Sequence, residues 1–396
     1  MLPSSTTLEF LSSHRDADSL QLLLQKGRYP DVDMNMVAQQ IEGRRQAIHK
    51  WPSFLACDEY LFPPKLNREQ SSSEATARYK GSLISDKTVA DLTGGMGVDC
   101  YFVARQAREV HYIELNPDLV ELAQHNFSVL GKNNIQCHCG DSIQWLSNHP
   151  SVDVIIVDPA RRNEHGKKVS AFEDCIPNIL EHRELLRSHS RTLIVKASPM
   201  IDINHGINQL GEVEEVHVVA VGGECKEVLF VCRQGVGEPQ IHCVNIMSEG
   251  SGQVWKFTRT QEQEANPRFA QSLGKYLYEP DASLMKGGAY RIICQWFPVE
   301  KLSRNSHLYT SDSLYDNFPG RIFQIERTLS LSPKTIKKEL PEGRCHIVCR
   351  NYPLSAPELQ KNLRLKEGGE QFIIATSWGE KPIGLVCRQV RNTPVH

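Results

Sequence analysis

The stretch Val89-Ala-Asp-Leu-Thr-Gly-Gly-Met-Gly-Val-Asp99 constrains this chain most. It reads as a buried strand ending at Asp91, a glycine turn, and the first turn of a helix. A strand that breaks into glycines and restarts as a helix commits the chain to strands alternating with helices, and so to a parallel sheet covered on both faces. A second strand pattern, Val110-His-Tyr-Ile-Glu114, ends in a carboxylate 17 residues after Gly97. Glycines let a backbone approach a ligand closely, and an acidic residue at the second strand end can accept from ribose hydroxyls. The constellation points to a bound adenosine cofactor.

The same alternation runs from residue 88 to about 233. Strands are expected at 88–92, 110–114, 135–139, 152–157, 192–197, 215–221 and 227–232, with helices near 97–106, 117–130, 175–188 and 203–210. The second helix has clear ends: Asn116 as N-cap, Pro117 in the first helical position and Gly131 as the stop. The last two strands are separated only by Gly222-Gly-Glu-Cys-Lys-Glu227, too short for a crossover helix, so they form an antiparallel hairpin. Residues 1–80 read as helical, through Leu20 to Leu24 and through Met34, Val37, Ala38 and Ile41 on one face. The polar stretch Gln70 to Lys80 reads as a loop before the first strand. Beyond the linker Gly235 to Pro239, residues 240–320 show short strand-like runs (Gln240–Ile246, Gln253–Thr258, Ala289–Phe297). Residues 321–396 read as a small α+β module. Its strands are Arg321–Glu326, His346–Arg350, Gln371–Thr376 and Gly384–Cys387, and its helices are Pro333–Leu340 and Ala356–Leu363.

Charge is unevenly placed. The whole chain carries a net charge of −2, but residues 321–396 hold 13 Lys and Arg against 7 Glu, a net of +6, which leaves −8 for residues 1–320. A basic terminal module on an acidic body suggests a local surface for an anionic partner. The twelve cysteines include no Cys-x-x-Cys pair, which excludes a zinc ribbon or a thioredoxin-type motif. No metal is expected, and His205, His217, His242 and His346 read as isolated structural residues. No basic leader or apolar run of membrane-spanning length is seen, so a cytoplasmic protein is expected.

The glycine turn departs from the dinucleotide pattern G-x-G-x-x-G, because Gly95-Met-Gly97 is followed by Val98, Asp99 and Cys100. Asp99 would also repel a diphosphate at the helix start. S-adenosylmethionine, with a sulfonium and an ammonium and no phosphate, suits such a turn. The expected cofactor-binding set is Asp91, Thr93, Gly94, Gly95, Gly97, Glu114, Leu115, Asp141, Ser142 and Asp158. In it Asp91 meets the ammonium, directly or through water, Glu114 the ribose and Asp141 the adenine amino group, with Ser142 and Ile143 flanking the ring. The fourth strand ends Val154-Ile-Ile-Val-Asp-Pro-Ala-Arg-Arg162, which makes Asp158 and Pro159 the candidate catalytic residues at the methyl group. Asp158 can hold an exocyclic amine by a hydrogen bond. Arg161 and Arg162 either hold a phosphate or solvate their loop. Lys196, ending an apolar strand, either pairs with Asp158 or contacts substrate. Arg78 and Lys80 join Arg161 and Lys196 as candidate substrate contacts.

Residues 88–232 resemble a class I S-adenosylmethionine-dependent methyltransferase, through Asp91-Leu-Thr-Gly-Gly-Met-Gly97, Glu114, Asp141 and the seven-strand ending. Asp158-Pro-Ala-Arg161 resembles the Asp-Pro-Pro-x motif of amino- and nucleic-acid-directed members, but has Ala160 for the second proline and Arg161 for the usual base-stacking aromatic. The whole chain is similar to a bacterial family whose C-terminal module is THUMP-like. The similarity is carried by Ser72-Ser-Glu-Ala-Thr-Ala-Arg-Tyr-Lys80, the glycine turn, Asp158 to Arg162, Glu224-Cys-Lys-Glu227 and Arg350-Asn-Tyr-Pro-Leu-Ser355. The resemblance implies four regions: a helical one (1–80), a doubly wound Rossmann-like α/β methyltransferase domain (81–233), a small α+β, ferredoxin-like domain (234–320) and a THUMP-like module (321–396). It implies methylation of RNA, such as tRNA or rRNA, with Lys334, Lys337, Lys338, Arg344, Arg350, Lys361, Arg364 and Lys366 tracking phosphates. A methyltransferase for a protein or small molecule, and a non-catalytic RNA-binding protein with a vestigial pocket, remain open. A nicotinamide oxidoreductase is disfavoured by the missing third glycine.

Overall fold

The computed structural model describes residues 2–161, 172, 175–247, 252–379 and 381–390. The chain divides into two compact units, residues 1–214 with 227–237, and residues 215–226 with 238–396.

The first unit begins with helices α1 (Ser5–Ser13), α2 (Ser19–Leu24), α3 (Met34–Lys50), α4 (Lys65–Gln70) and α5 (Glu74–Ser82). Asp18 and Asp33 cap α2 and α3, each accepting two backbone N–H groups that a helix start leaves without partners. The expected loop between Gln70 and Lys80 is largely helix α5. Ser73 caps it by accepting from the Thr76 N–H, and the Glu74–Arg78 pair spans one turn. Its polar composition hid a helix whose inward side chains are themselves polar. Residues 60–62 return along α3, where the buried Gln40 side chain bonds both the N–H and the C=O of Phe62. Asn126 does the same for Leu61. Trp51, Phe54, Tyr60, Phe62 and Phe102 close this layer as one aromatic core.

The sheet of the first unit follows: β1 (Thr88–Asp91), α6 (Val98–Val103), β2 (Glu109–Glu114), α7 (Pro117–Val129), β3 (Ile135–Cys139), α8 (Ser142–Asn148) and β4 (Val152–Val157). Then come the short pair β5 (Ala160–Arg161) and β6 (Cys175–Ile176), α9 (Arg183–His189), β7 (Ser190–Ala197) and α10 (Ile203–Leu210). β3, β2, β1, β4 and β7 lie side by side in that order and parallel, so the loops after β1 to β4 leave from one edge. The helix expected over 175–188 is confined to α9, because Pro177 cannot serve a helix interior. α8 was missed; Asp141 caps it.

The chain then forms β8 (Val213–Val221) and β9 (Glu224–Cys232). Gly222 and Gly223 between them have φ of 60° and 82°, the left-handed backbone that a two-residue hairpin turn requires. The turn expected between these strands is present and shorter, confined to Gly222 and Gly223. β9 runs antiparallel to β7 in the first unit, giving the order β3-β2-β1-β4-β7-β9. In the second unit β8 pairs in parallel with β10 (Gln240–Ile246), which pairs antiparallel with β11 (Gly252–Thr258). This register brings His217 and His242, read as isolated, to a ring separation of 4.3 Å.

The rest of the second unit comprises α11 (Arg259–Glu264), β12 (Tyr276–Pro280), α12 (Ala282–Gly287), α13 (Ile293–Trp296), β13 (Glu300–Lys301), β14 (Tyr309–Ser311), β15 (Gly320–Leu329), α14 (Pro333–Glu339), β16 (His346–Cys349), α15 (Ala356–Leu363), β17 (Gln371–Trp378) and β18 (Lys381–Gln389). Seven of its strands form one sheet in the order β13-β14-β12-β15-β18-β17-β16. The strand expected over 289–297 is instead a loop and α13. The Glu262 carboxylate accepts the N–H groups of Tyr290, Arg291 and Ile292, which are therefore lost to any strand ladder. From residue 321 onward, both expected helices and all four strands are present. Among the described residues no helix is long and apolar enough to cross a membrane.

Gly43 sits where α3 meets Phe62: a Cβ there would lie 2.4 Å from the Phe62 side chain. In an open helix Gly→Ala stabilises by about 1 kcal/mol. Gly43→Ala is expected to destabilise instead, by about 1–3 kcal/mol, because the added methyl overpacks the contact. Denaturant unfolding reads the sign directly.

Candidate functional site

The glycine turn is shaped by its neighbours. Gly95 and Gly97 have φ of 53° and 79°, and Gly94 has no room for a Cβ, which would fall 2.3 Å from the Tyr112 ring. The Tyr112 hydroxyl donates to the Gly95 carbonyl at 2.7 Å. At the end of β2, Glu114 accepts the Gly95 N–H through Oε2 and the Asn116 N–H through Oε1, both at 2.9 Å. It therefore holds the turns after β1 and β2 together, and each oxygen keeps capacity for another donor. A Cβ on Gly95 would meet little but the Thr93 carbonyl at 3.7 Å, so the left-handed backbone, not crowding, calls for glycine there.

Asp91 is buried at the end of β1. It accepts from the Thr93 N–H at 3.0 Å, the Thr93 hydroxyl at 3.3 Å and the Cys100 thiol at 3.2 Å. Burial, then Asp99 and to a lesser degree Asp158, push its pKa up to about 6 against these bonds. The Thr93 hydroxyl oxygen also accepts the Asp158 N–H at 2.8 Å, so one side chain links the ends of β1 and β4.

Asp158 is half-exposed and its Oδ2 forms an ion pair with Lys196. Burial works against the Lys196 ammonium, yet Asp158, Glu227 and Asp99 hold its pKa above the ordinary lysine range. Asp158 Oδ1 has no hydrogen-bond partner among the described residues. Behind this pair lies Lys80, fully buried. Its ammonium donates to both Glu227 oxygens at 2.8 Å and to Ser72 Oγ at 3.2 Å, and it lies 3.2 Å from Asp99 Oδ1. Ser72 in turn donates to Asp99 Oδ2 at 2.8 Å.

At the third strand end Asp141 is exposed and caps α8 through the Gln144 N–H at 2.8 Å. Ser142 opens that helix, and Ile143 beside it is half-buried. Leu115, next to Glu114, is 68 % exposed. An exposed leucine among carboxylates at adjacent strand ends offers an apolar wall rimmed by acceptors. That suits a ligand with an aromatic ring, hydroxyls and a cationic amine. It does not suit a phosphate, since Asp99 occupies the first turn of α6.

Comparison with known proteins decides the family. A structure from Porphyromonas gingivalis W83, provisionally described as a methyltransferase, is 30 % identical, covers 99 % of this chain and all of its own, and superposes with a TM-score of 0.88. Residues 276–319 match the family model of a ferredoxin-like domain, and residues 320–389 that of a THUMP domain-like family. The chain belongs to the S-adenosylmethionine-dependent methyltransferases that end in a THUMP-like domain. An uncharacterised S-adenosylmethionine-dependent methyltransferase of Mycobacterium tuberculosis H37Rv is 21 % identical over 82 % of this chain and 87 % of its own. An uncharacterised RNA methyltransferase of Porphyromonas gingivalis W83 is 36 % identical, but over only 24 % of this chain and 22 % of its own.

In this methyltransferase two of the expected substrate contacts have partners within the chain. Lys80 is sealed from solvent by Glu227, Ser72 and Asp99. Arg78 donates twice to Glu74 Oε1, at 2.8 and 2.6 Å, and lies over the Phe102 ring at 4.7 Å. Lys196 takes the first of its two expected roles, pairing with Asp158. The side chain of Arg161 and all of Arg162 lie outside the described residues. Glu227 escaped the sequence reading as a site residue, although it ends the Glu224–Glu227 segment that carried the resemblance. Only the fold brings it 2.8 Å from a lysine 147 positions away.

Removing one member of the buried pair takes from the other its nearest counter-charge. Glu227→Gln and Lys80→Met should each cost about 3–5 kcal/mol. The double variant should cost clearly less than the sum, as a double-mutant cycle in denaturant would record.

Proposed function

We propose that this methyltransferase acts on RNA, such as tRNA or rRNA, and that its cofactor lies over the ends of β1 to β4. When bound, S-adenosylmethionine supplies a methyl group activated on a sulfonium. Asp91, through Thr93 and the turn, receives the ammonium end. Glu114 accepts from the ribose hydroxyls with the lone pairs left after its two backbone bonds. Leu115 and Ile143 flank the adenine, and Ser142 and Asp141 meet its edge. Gly94, Gly95 and Gly97 keep the turn clear of side chains.

Asp158 is the proposed catalytic residue. Lys196 holds its Oδ2, and Oδ1 accepts an N–H or O–H of the acceptor and aims the lone pair at the methyl. Pro159 fixes the backbone after it. The task is alignment and exclusion of water, since a neutral nucleophile attacks in line and charge disperses.

One observation carries the RNA reading. In the THUMP-like residues Lys334, Lys337, Lys338, Arg344, Lys361, Arg364 and Lys366 are all exposed, and Arg350 is half-exposed. Such a concentration on a chain of net charge −2 suits a polyanion. The partial matches to proteins named RNA methyltransferases support the same reading.

Three outcomes are expected. A cationic amine on Asp91 favours the ionised carboxylate, and the free group titrates at about 6. Calorimetric affinity for S-adenosylmethionine should therefore rise about tenfold from pH 5 to pH 7 and level off above. In Asp91→Asn that slope should vanish and binding weaken by about 1–3 kcal/mol; a slope that survives the substitution refutes the role. Asp158→Asn should retain cofactor binding and lose about 10²-fold or more in methyl transfer to total RNA, followed with a labelled methyl group. Replacing Lys334, Lys337 and Lys338 by Ala should weaken RNA binding and flatten its dependence on salt, by up to about 0.7 in log–log slope per lost phosphate contact on a single strand. RNA binding that is indifferent to both changes would point to a protein or small-molecule acceptor.

A further inference from the structure

The parallel register of β8 and β10 sets Gln240 opposite Glu215 and His242 opposite His217. With a two-residue repeat along each strand, all four side chains stand on one face as a rectangle. His217 Nε2 lies 3.1 Å from Glu215 Oε2, and His242 Nε2 lies 3.8 Å from Glu215 Oε1. The Gln240 side-chain oxygen is 2.8 Å from His242 Nε2. One ligand atom from each of Glu215, His217 and His242 falls within 4.8 Å of the others.

We propose that Glu215, His217 and His242, with the Gln240 carbonyl oxygen as fourth donor, form a zinc site on this face. Two imidazole nitrogens and a carboxylate are a zinc donor set. At metal–ligand distances of about 2.0–2.1 Å a tetrahedral ion separates its ligands by about 3.3 Å. The separations of 3.1, 3.8 and 2.8 Å lie near that edge, and one ligand atom from each of Glu215, His217 and His242 falls within 4.8 Å of the others, so closure needs these side chains to rotate toward a common centre. The His242 proton moves from Nε2 to Nδ1, which keeps the ring neutral and frees Nε2 for the ion, and Gln240 turns from hydrogen-bond partner to ligand. Both imidazoles are nearly inaccessible, with side chains 2 % and 5 % exposed, while Glu215 at 30 % leaves a way in.

Lys256 stands opposite His242 on β11. The carboxylate supplies the negative charge that a dication needs beside Lys256. Four protein donors make this a closed, structural site, which would pin β8 to β10. It is independent of the proposed cofactor and RNA assignments.

The full chain, stripped with a chelator and dialysed against zinc, should retain about one ion per chain by plasma mass spectrometry. Its thermal midpoint should rise with zinc concentration, as any ligand of the native state requires. Cobalt in place of zinc should give tetrahedral ligand-field bands without thiolate charge-transfer absorption. Glu215→Gln, whose fold is checked by circular dichroism, should lower zinc affinity about tenfold or more and abolish the thermal shift. His242→Asn serves as a second variant should the first not fold. The proposal falls if the stripped chain retains no zinc, if both variants bind like the parent, or if thiolate absorption shows that the cysteines hold the ion. The cluster would then be an ordinary hydrogen-bonded pair of strands.

Discussion

The first unit depends on one buried ion pair. Lys80 comes from the helix before the first strand, Glu227 from the last strand of the unit, and each would be intolerable in the interior without the other. Around them the charges alternate: Asp99 beside Lys80, Lys196 within the field of Glu227, and Asp158 on Lys196. The chain of charges runs from a fully buried lysine to a half-exposed carboxylate. It therefore ties the helical N-terminal layer to the edge where β1 and β4 end. Burial of such a network costs free energy, and a hydrophobic core would do as well for stability alone. Its yield is position, since the outermost member, Asp158, is held by a cation that is itself held.

The same logic explains the inner aspartate. Asp91 receives three hydrogen bonds and still has its pKa raised, first because it is buried and then because Asp99 and Asp158 add negative charge beside it. A site whose carboxylates crowd the glycine turn, with Lys80 and Lys196 each already engaged by carboxylates, is poorly matched to phosphates and well matched to a cationic amino acid end. Glu114 works differently. It spends two lone pairs on the backbone of adjacent turns, so the residue read as a ribose ligand is also the strut that shapes the glycine turn.

Much was legible from residues alone. Asn116-Pro117 and the apolar periodicities are local signals, and the helices they predict are present. What failed locally failed for long-range reasons. The Gln70–Lys80 segment looked like a linker because the partners that make its polar side chains buryable, Ser53, Asp99 and Glu227, come from elsewhere in the chain. Residues 289–297 alternate like a strand, yet Glu262 takes their N–H groups. The pairing of His217 with His242 needed a strand register that no spacing announces.

The sequence by itself determined that this chain is a glycine-turn α/β methyltransferase with a basic α+β tail, because turns, caps and alternation act over a few residues and leave their mark in residue type. Only the tertiary structure decided which charges face solvent. It sealed Lys80 inside the fold, left Arg78 exposed on Glu74, made Glu227 the counter-ion of a buried lysine, and set two histidines and a glutamate side by side. Electrostatic roles depend on what stands within a few ångströms, and that is a property of the fold.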